Sequence, residues 1–255
     1  MKARRFAWAL LAGCAAGLAG AGPAASHDRT PPLPGEVLHR FVKDGLVDYA
    51  GLKAAPAPLD RFLTAVAGVR EKDYRSWSPP EQIAFWLNLY NAATLRLVVD
   101  HYPVRSIRDI GGLVRGPWDQ PIVRVFGRIL DLNTVEHEIL RRQFHEPRIH
   151  FALVCAARGC PPLRSEPYSA ARLEAQLNDQ ATRFLAQTNK NRIEPASHTV
   201  FLSPIFRWYR EDFERDGRSL LATLRPWWPE PPPADYERYS IRWTRYDWSL
   251  NELSR

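Results

Sequence analysis

The chain has 255 residues, enough for one domain or one domain with a small appendage. Hydrophobic residues make up 45% of it and there are nine tryptophans, so it can bury a sizeable core and is not a disordered chain. The formal charge of +7 falls to +4 once residues 1–26 and their three basic side chains are set aside, and the remaining charges are interspersed, which argues against a specific nucleic-acid role.

Residues 1–26 have the form of a targeting leader. Lys2, Arg4 and Arg5 precede an apolar run from Phe6 to Leu18, followed by small residues. That run is too short to span a membrane, and no transmembrane segment is expected. Ala24-Ala25-Ser26 fits an ordinary signal-peptidase site. Leu11-Ala12-Gly13-Cys14 has the form of a lipobox, which would instead leave a lipid anchor on Cys14. Ordinary cleavage is preferred, because the apolar character continues past Cys14. Either route puts the mature domain outside the cytoplasm, with a bacterial periplasm the natural choice. Residues 27–34 are polar and Pro-rich and read as a linker, leaving 35–255 as a single globular domain.

Glu36 to Val42 looks like a short helix. Gly45 to Tyr49 turns into an extended piece, and Leu59 to Val69 has helical apolar spacing. Ser78, Pro79, Pro80 and Glu81 form a helix-start signature. The helix that follows, to about His101, is apolar nearly all round and should be buried at the centre. Asn88 and Asn91 lie three apart on one face of it, either bonding loop backbone or reaching a cleft. Ile122 to Asp131 reads as a hairpin. Asn133 or Thr134 caps a helix through Phe144 that carries Glu136, His137 and Glu138.

Residues 148–164 hold the densest reactive chemistry. Ile149 to Val154 is expected as a short buried strand, running into a loop with Cys155 and Cys160. Ser169 caps a long amphipathic helix to about Thr188. Arg192 to Leu202 reads as a second hairpin and Ile205 to Phe213 as an aromatic-rich helix. Ser219 to Leu224 is a further short helix. A Pro-rich crossing, Trp227 to Pro233, leads to a last strand in Tyr239 to Trp248. The expected class is α+β: one domain, with a small mixed or antiparallel sheet packed by the buried central helix and several amphipathic helices.

Three functional readings compete. With Cys14 removed or lipidated, only Cys155 and Cys160 remain. A thiol-dependent hydrolase or acyltransferase would use Cys155 or Cys160 as nucleophile and His137 or His150 as base. Glu136, Glu138, Asn88 or Asn91 would orient the imidazole, and amides of Ala156 to Gly159 would form an oxyanion hole. In a regular strand His150 and Cys155 would face opposite sides, which favours His137. A non-catalytic binding or interaction module would join the two cysteines in a disulfide. A zinc site could draw on His137, His150, Cys155, Cys160 and a glutamate, but no tight ligand motif is present, and no cofactor is the default expectation. The partner would be an unidentified small molecule or peptide.

Several segments together resemble the family called domain of unknown function 547. They are Ala84-Phe85-Trp86-Leu87-Asn88-Leu89-Tyr90-Asn91-Ala92, Glu136-His137-Glu138-Ile139-Leu140-Arg141, Arg148 to Cys155, Cys160-Pro161, Phe206-Arg207-Trp208-Tyr209 with Asp212-Phe213, and Tyr246 to Asn251. The resemblance extends over nearly the whole mature chain. It implies an exported bacterial protein but no assigned activity.

Overall fold

The computed structural model describes residues 31, 35–112 and 114–253. The expected leader, the lipobox form at Cys14 and, apart from residue 31, the linker lie outside the described residues. Helix α1 (Gly35–Phe41) runs into a hairpin of β1 (Val42–Lys43) and β2 (Leu46–Val47). Then come α2 (Tyr49–Ala54), α3 (Ala57–Ala67) and the single turn α4 (Glu71–Tyr74). Helix α5 (Pro79–His101) is the central element. Its start is sealed by a capping box, in which the Glu81 carboxylate accepts the Ser78 backbone N–H at 2.7 Å. From Ile83 to Val99 nearly every residue is buried, so the helix needs packing on all sides. Tyr74, Trp77, Phe85, Trp86 and Phe126 surround its first turns in edge and tilted ring contacts.

The hairpin β3 (Val123–Val125) and β4 (Arg128–Leu130) follows, paired antiparallel. A π-helical stretch, Thr134–Leu140, continues as α6 (Arg141–Phe144). Next come α7 (Ile149–Ala152), the cysteine loop and α8 (Leu173–Leu185). Strands β5 (Arg192–Glu194), β6 (Thr199–Leu202) and, late in the chain, β7 (Ser240–Trp243) form a mixed sheet in the order β5-β6-β7. Here β6 pairs antiparallel with β5 and parallel with β7. Between β6 and β7 lie α9 (Ile205–Trp208), α10 (Arg210–Phe213) and α11 (Leu220–Leu224).

The class is therefore α+β in one compact domain, with small antiparallel and mixed sheets. Two apolar clusters form the interior. One surrounds α5, and the other gathers Phe151, Phe184, Phe206 and Phe213 with Val200 and Leu202 of the mixed sheet. They meet at α7, where Ile149 and Ala152 face the first and Phe151 the second.

The expected strand Ile149 to Val154 is not a strand. Its first four residues make one helical turn, with Phe151 N–H bonding Arg148 O and Leu153 N–H bonding Ile149 O. All four are buried, so no alternation marks the segment, and a short apolar run does not distinguish helix from strand. Leu153 is extended, but Val154 N–H donates to the Asn91 side chain rather than to a neighbouring strand. His150 and Cys155 are therefore not held on opposite faces of a strand. Two further elements differ from expectation. The helix expected over Ile205 to Phe213 breaks at Tyr209, whose φ of -113° and ψ of 25° leave the helical region. The last strand is confined to Ser240–Trp243, because the chain then turns back to lace the cysteine loop.

Candidate functional site

The π-helical stretch is the first device of the site. Its wider turn lets Arg141 N–H bond Glu136 O, five residues back, and brings adjacent Glu136 and His137 to one concave surface. Helix α7 supplies His150, and the break at Tyr209 swings that ring onto it. The two rings stack with centroids 3.8 Å apart.

The third wall is the cysteine loop, where Cys155 and Cys160 are joined in a disulfide. Ala156, at φ 57°, turns the chain back on itself. The Cys155 backbone N–H meets Cys160 Sγ at 3.1 Å, and the Tyr246 hydroxyl sits 3.2 Å from both sulfurs. The returning C-terminal segment fixes this arrangement. Gly159 N–H bonds Asp247 O, Arg158 N–H bonds Ser249 O and Asn251 N–H bonds Ala156 O. Gly159 must be a glycine for a steric reason, since a Cβ there would lie 2.9 Å from the Tyr246 ring.

The pocket so formed encloses about 230 Å³. Glu136, His137, His150, Cys155 and Cys160 line it, as do Tyr90, Tyr209 and Tyr246 and an aromatic rim of Trp118, Trp208 and Trp248. Its polar groups form a relay. Arg141 Nε donates to Asp212 Oδ2 at 2.6 Å, and His150 Nε2 meets the same oxygen at 2.7 Å. His150 Nδ1 faces Glu136 Oε1 at 3.9 Å, and the Tyr90 hydroxyl donates to Glu136 Oε2 at 3.1 Å. The Glu136 charge also acts on the Tyr209 phenol.

Electrostatics follow from burial. Desolvation pulls the His150 pKa below its usual value, although Asp212 and Glu136 both act in the opposite direction. The ring is thus neutral near pH 7 and donates from Nε2 to Asp212. Burial alone would raise Asp212, but hydrogen bonds from His150 and Arg141 hold it well below the usual carboxylate range. Burial first, and then the Glu136 charge, raise Tyr90 and Tyr209. Both phenols therefore stay protonated and act as donors.

The structure brings together Glu136, His137, His150, Cys155 and Cys160. His137 Nδ1 accepts from Arg141 Nη1 at 2.9 Å. Asn88 and Asn91 stand apart from this lining and bridge backbone. Asn88 Nδ2 donates to Tyr168 O and its Oδ1 accepts Tyr168 N–H, while Asn91 does the same for Ala152 O and Val154 N–H. Glu138 pairs with Arg142 on the surface. The donors named for zinc are otherwise engaged, with the sulfurs bonded to each other and His150 to Asp212. Among the described residues no group of three or more His, Cys, Asp or Glu side chains is arranged to hold a metal ion. No helix among them is long and apolar enough to cross a membrane.

Asp212, Tyr90, Tyr209, Tyr246 and the three rim tryptophans escaped the site prediction. Most sit in segments that carry the family resemblance, Phe206 to Tyr209, Asp212-Phe213 and Tyr246 to Trp248, and that coincidence was the available signal.

Residues 74–185 match the family model described as "Protein of unknown function, DUF547". The DUF547 match takes in α5, the π-helical stretch, α7 and the cysteine loop. It thus includes Tyr90, Glu136, His137, His150 and both cysteines. Asp212, Tyr209 and the C-terminal part of the rim lie beyond the DUF547 span. No curated protein and no solved structure matches the chain.

Proposed function

We propose that the chain is an exported ligand-binding protein of the cell envelope, whose pocket holds a small molecule or the end of a peptide. The observation that carries this reading is the joined pair Cys155–Cys160 in the wall of a concave, aromatic pocket. While that bond stands neither sulfur is a nucleophile. His150, its two nitrogens turned toward Asp212 and Glu136, has none free for a sulfur. A disulfide also suits an oxidising compartment, which supports export behind a leader over residues 1–26, by ordinary cleavage or through lipid on Cys14.

A second reading rests on a different observation. Cys155 is only half-buried in the pocket, and the Tyr246 hydroxyl and a backbone N–H lie against Cys160 Sγ. After reduction those donors would stabilise a thiolate, and a thiol-dependent hydrolase or acyltransferase would become available. The two readings separate in one assay. Dithiothreitol-reduced protein is mixed with p-nitrophenyl acetate, beside a double variant, Cys155→Ser with Cys160→Ser, treated in the same way. The binding reading expects no burst of nitrophenol above the variant. A stoichiometric burst that the double variant abolishes would establish the thiol enzyme instead.

A further inference from the structure

The pocket has a charge asymmetry that the relay does not consume. No Lys or Arg is among its lining residues, and its one carboxylate is Glu136. Among the described residues no Lys or Arg nitrogen lies within 4.0 Å of Glu136, and the Tyr90 phenol donates to it. Arg141, the nearest strong cation of the relay, is bound to Asp212 and to His137. A phenol carries no formal charge, so its hydrogen bond does not neutralise a carboxylate.

Glu136 shares the pocket lining with a cluster of aromatic rings. Tyr246 and Trp248 have centroids 4.5 Å apart, Trp208 and Tyr246 4.9 Å, and Trp118 and Trp248 6.0 Å. Trp208 is 48% exposed, unusual for so large an apolar ring in a chain with this much core. Rings of this cluster already attract cations, since Arg108 lies 5.2 Å from the Trp248 centroid. A carboxylate and several aromatic rings lining one pocket are the chemistry that recognises an organic ammonium group.

We propose that the pocket binds a small organic cation, a quaternary or alkylated ammonium head group, with its charge toward Glu136 and its methyl or methylene groups against Trp208, Tyr246 and Trp248. This rests on the ligand-binding reading above and names the ligand class.

The test titrates the purified chain by calorimetry with choline and with its uncharged isostere 3,3-dimethyl-1-butanol. The expected result is one site at which choline binds about tenfold or more tightly than the isostere, which is 1.4 kcal/mol of charge recognition. Glu136→Gln should remove most of that preference. Trp208→Ala, at an exposed position that does not threaten folding, should weaken choline binding and lessen the tryptophan fluorescence change it causes. Equal binding of both ligands would overturn the cation proposal while leaving the pocket as a ligand site. Heat from neither at roughly 20 mM would also overturn the cation proposal, and the nitrophenol burst then decides the ligand-binding reading separately.

Discussion

Replacing Asp212 by Asn tests whether the relay holds the site together. The Asp212 side chain is 7% exposed and accepts from Arg141 at 2.6 and 3.3 Å, from His150 at 2.7 Å and from Arg215 at 3.1 Å. An amide keeps the shape but loses the charge and turns one oxygen into a donor that faces other donors. Breaking a buried pair costs about 3–5 kcal/mol, but Arg141 retains 22% exposure and can recover some water, so we expect a loss of about 2–4 kcal/mol. For a domain of this size that lowers the melting temperature by about 4–16 °C. The assay is urea unfolding followed by tryptophan fluorescence, with Asp216→Asn as control. The Asp216 side chain is 80% exposed, and that change should stay within about 0.5 kcal/mol. The deficit of Asp212→Asn also has a pH signature. Because the folded carboxylate titrates below its ordinary value of 3.8, its stabilisation is complete above that pH and fades as the solution becomes more acidic. Wild type and variant should therefore differ by a constant amount from pH 6 to 8 and converge below about pH 4. A loss below about 0.5 kcal/mol at neutral pH, or a deficit that grows in acid, would refute the relay.

Other outcomes follow from the same geometry. Asn91→Leu leaves the Ala152 carbonyl and the Val154 N–H without their side-chain partner, and should cost about 2–5 kcal/mol by urea unfolding. Cys155→Ser with Cys160→Ser opens a small loop with a sequence separation of 5, worth about 2 kcal/mol, and reduction of the wild type should cost a similar amount. Burial pushes the Lys190 ammonium down to about 8 against the opposing charge of Asp247, so the folded chain sheds a proton that the unfolded chain keeps. Stability of the wild type relative to Lys190→Met should therefore rise as pH climbs from about 8 toward 10, and a flat difference in urea midpoints would contradict the assignment.

Much of the frame was legible because its signals are local. Ser78, Pro79 and Glu81 mark the start of α5 within four residues, and the all-round apolar character after them requires burial. The hairpin at Phe126-Gly127 and the Ser219 cap of α11 are equally short-range. The site was legible only in part. Glu136, His137, His150 and the cysteines stand out by residue type, and they do converge on one pocket. Asp212 lies 62 residues from His150, and Tyr246 lies 91 from Cys155. No periodicity joins such partners, and an aspartate on a short helix looks like any solvated charge until the fold closes. The helical turn of α7 was hidden for a different reason, since burial on every side removes the pattern that would distinguish it from a strand. Tyr209 illustrates a third cause. Its aromatic neighbours suggested one continuous core helix, whereas the ring leaves the helix to stack on His150.

The most direct measurement is alkylation of the purified native chain with iodoacetamide, before and after reduction, read by intact mass. If the pocket is a ligand site walled by a disulfide, Cys155 and Cys160 stay unlabelled in the native chain, and both take up label only after reduction. A single thiol at either position that labels rapidly in the unreduced protein at neutral pH would contradict that reading and make the pocket a thiol active site.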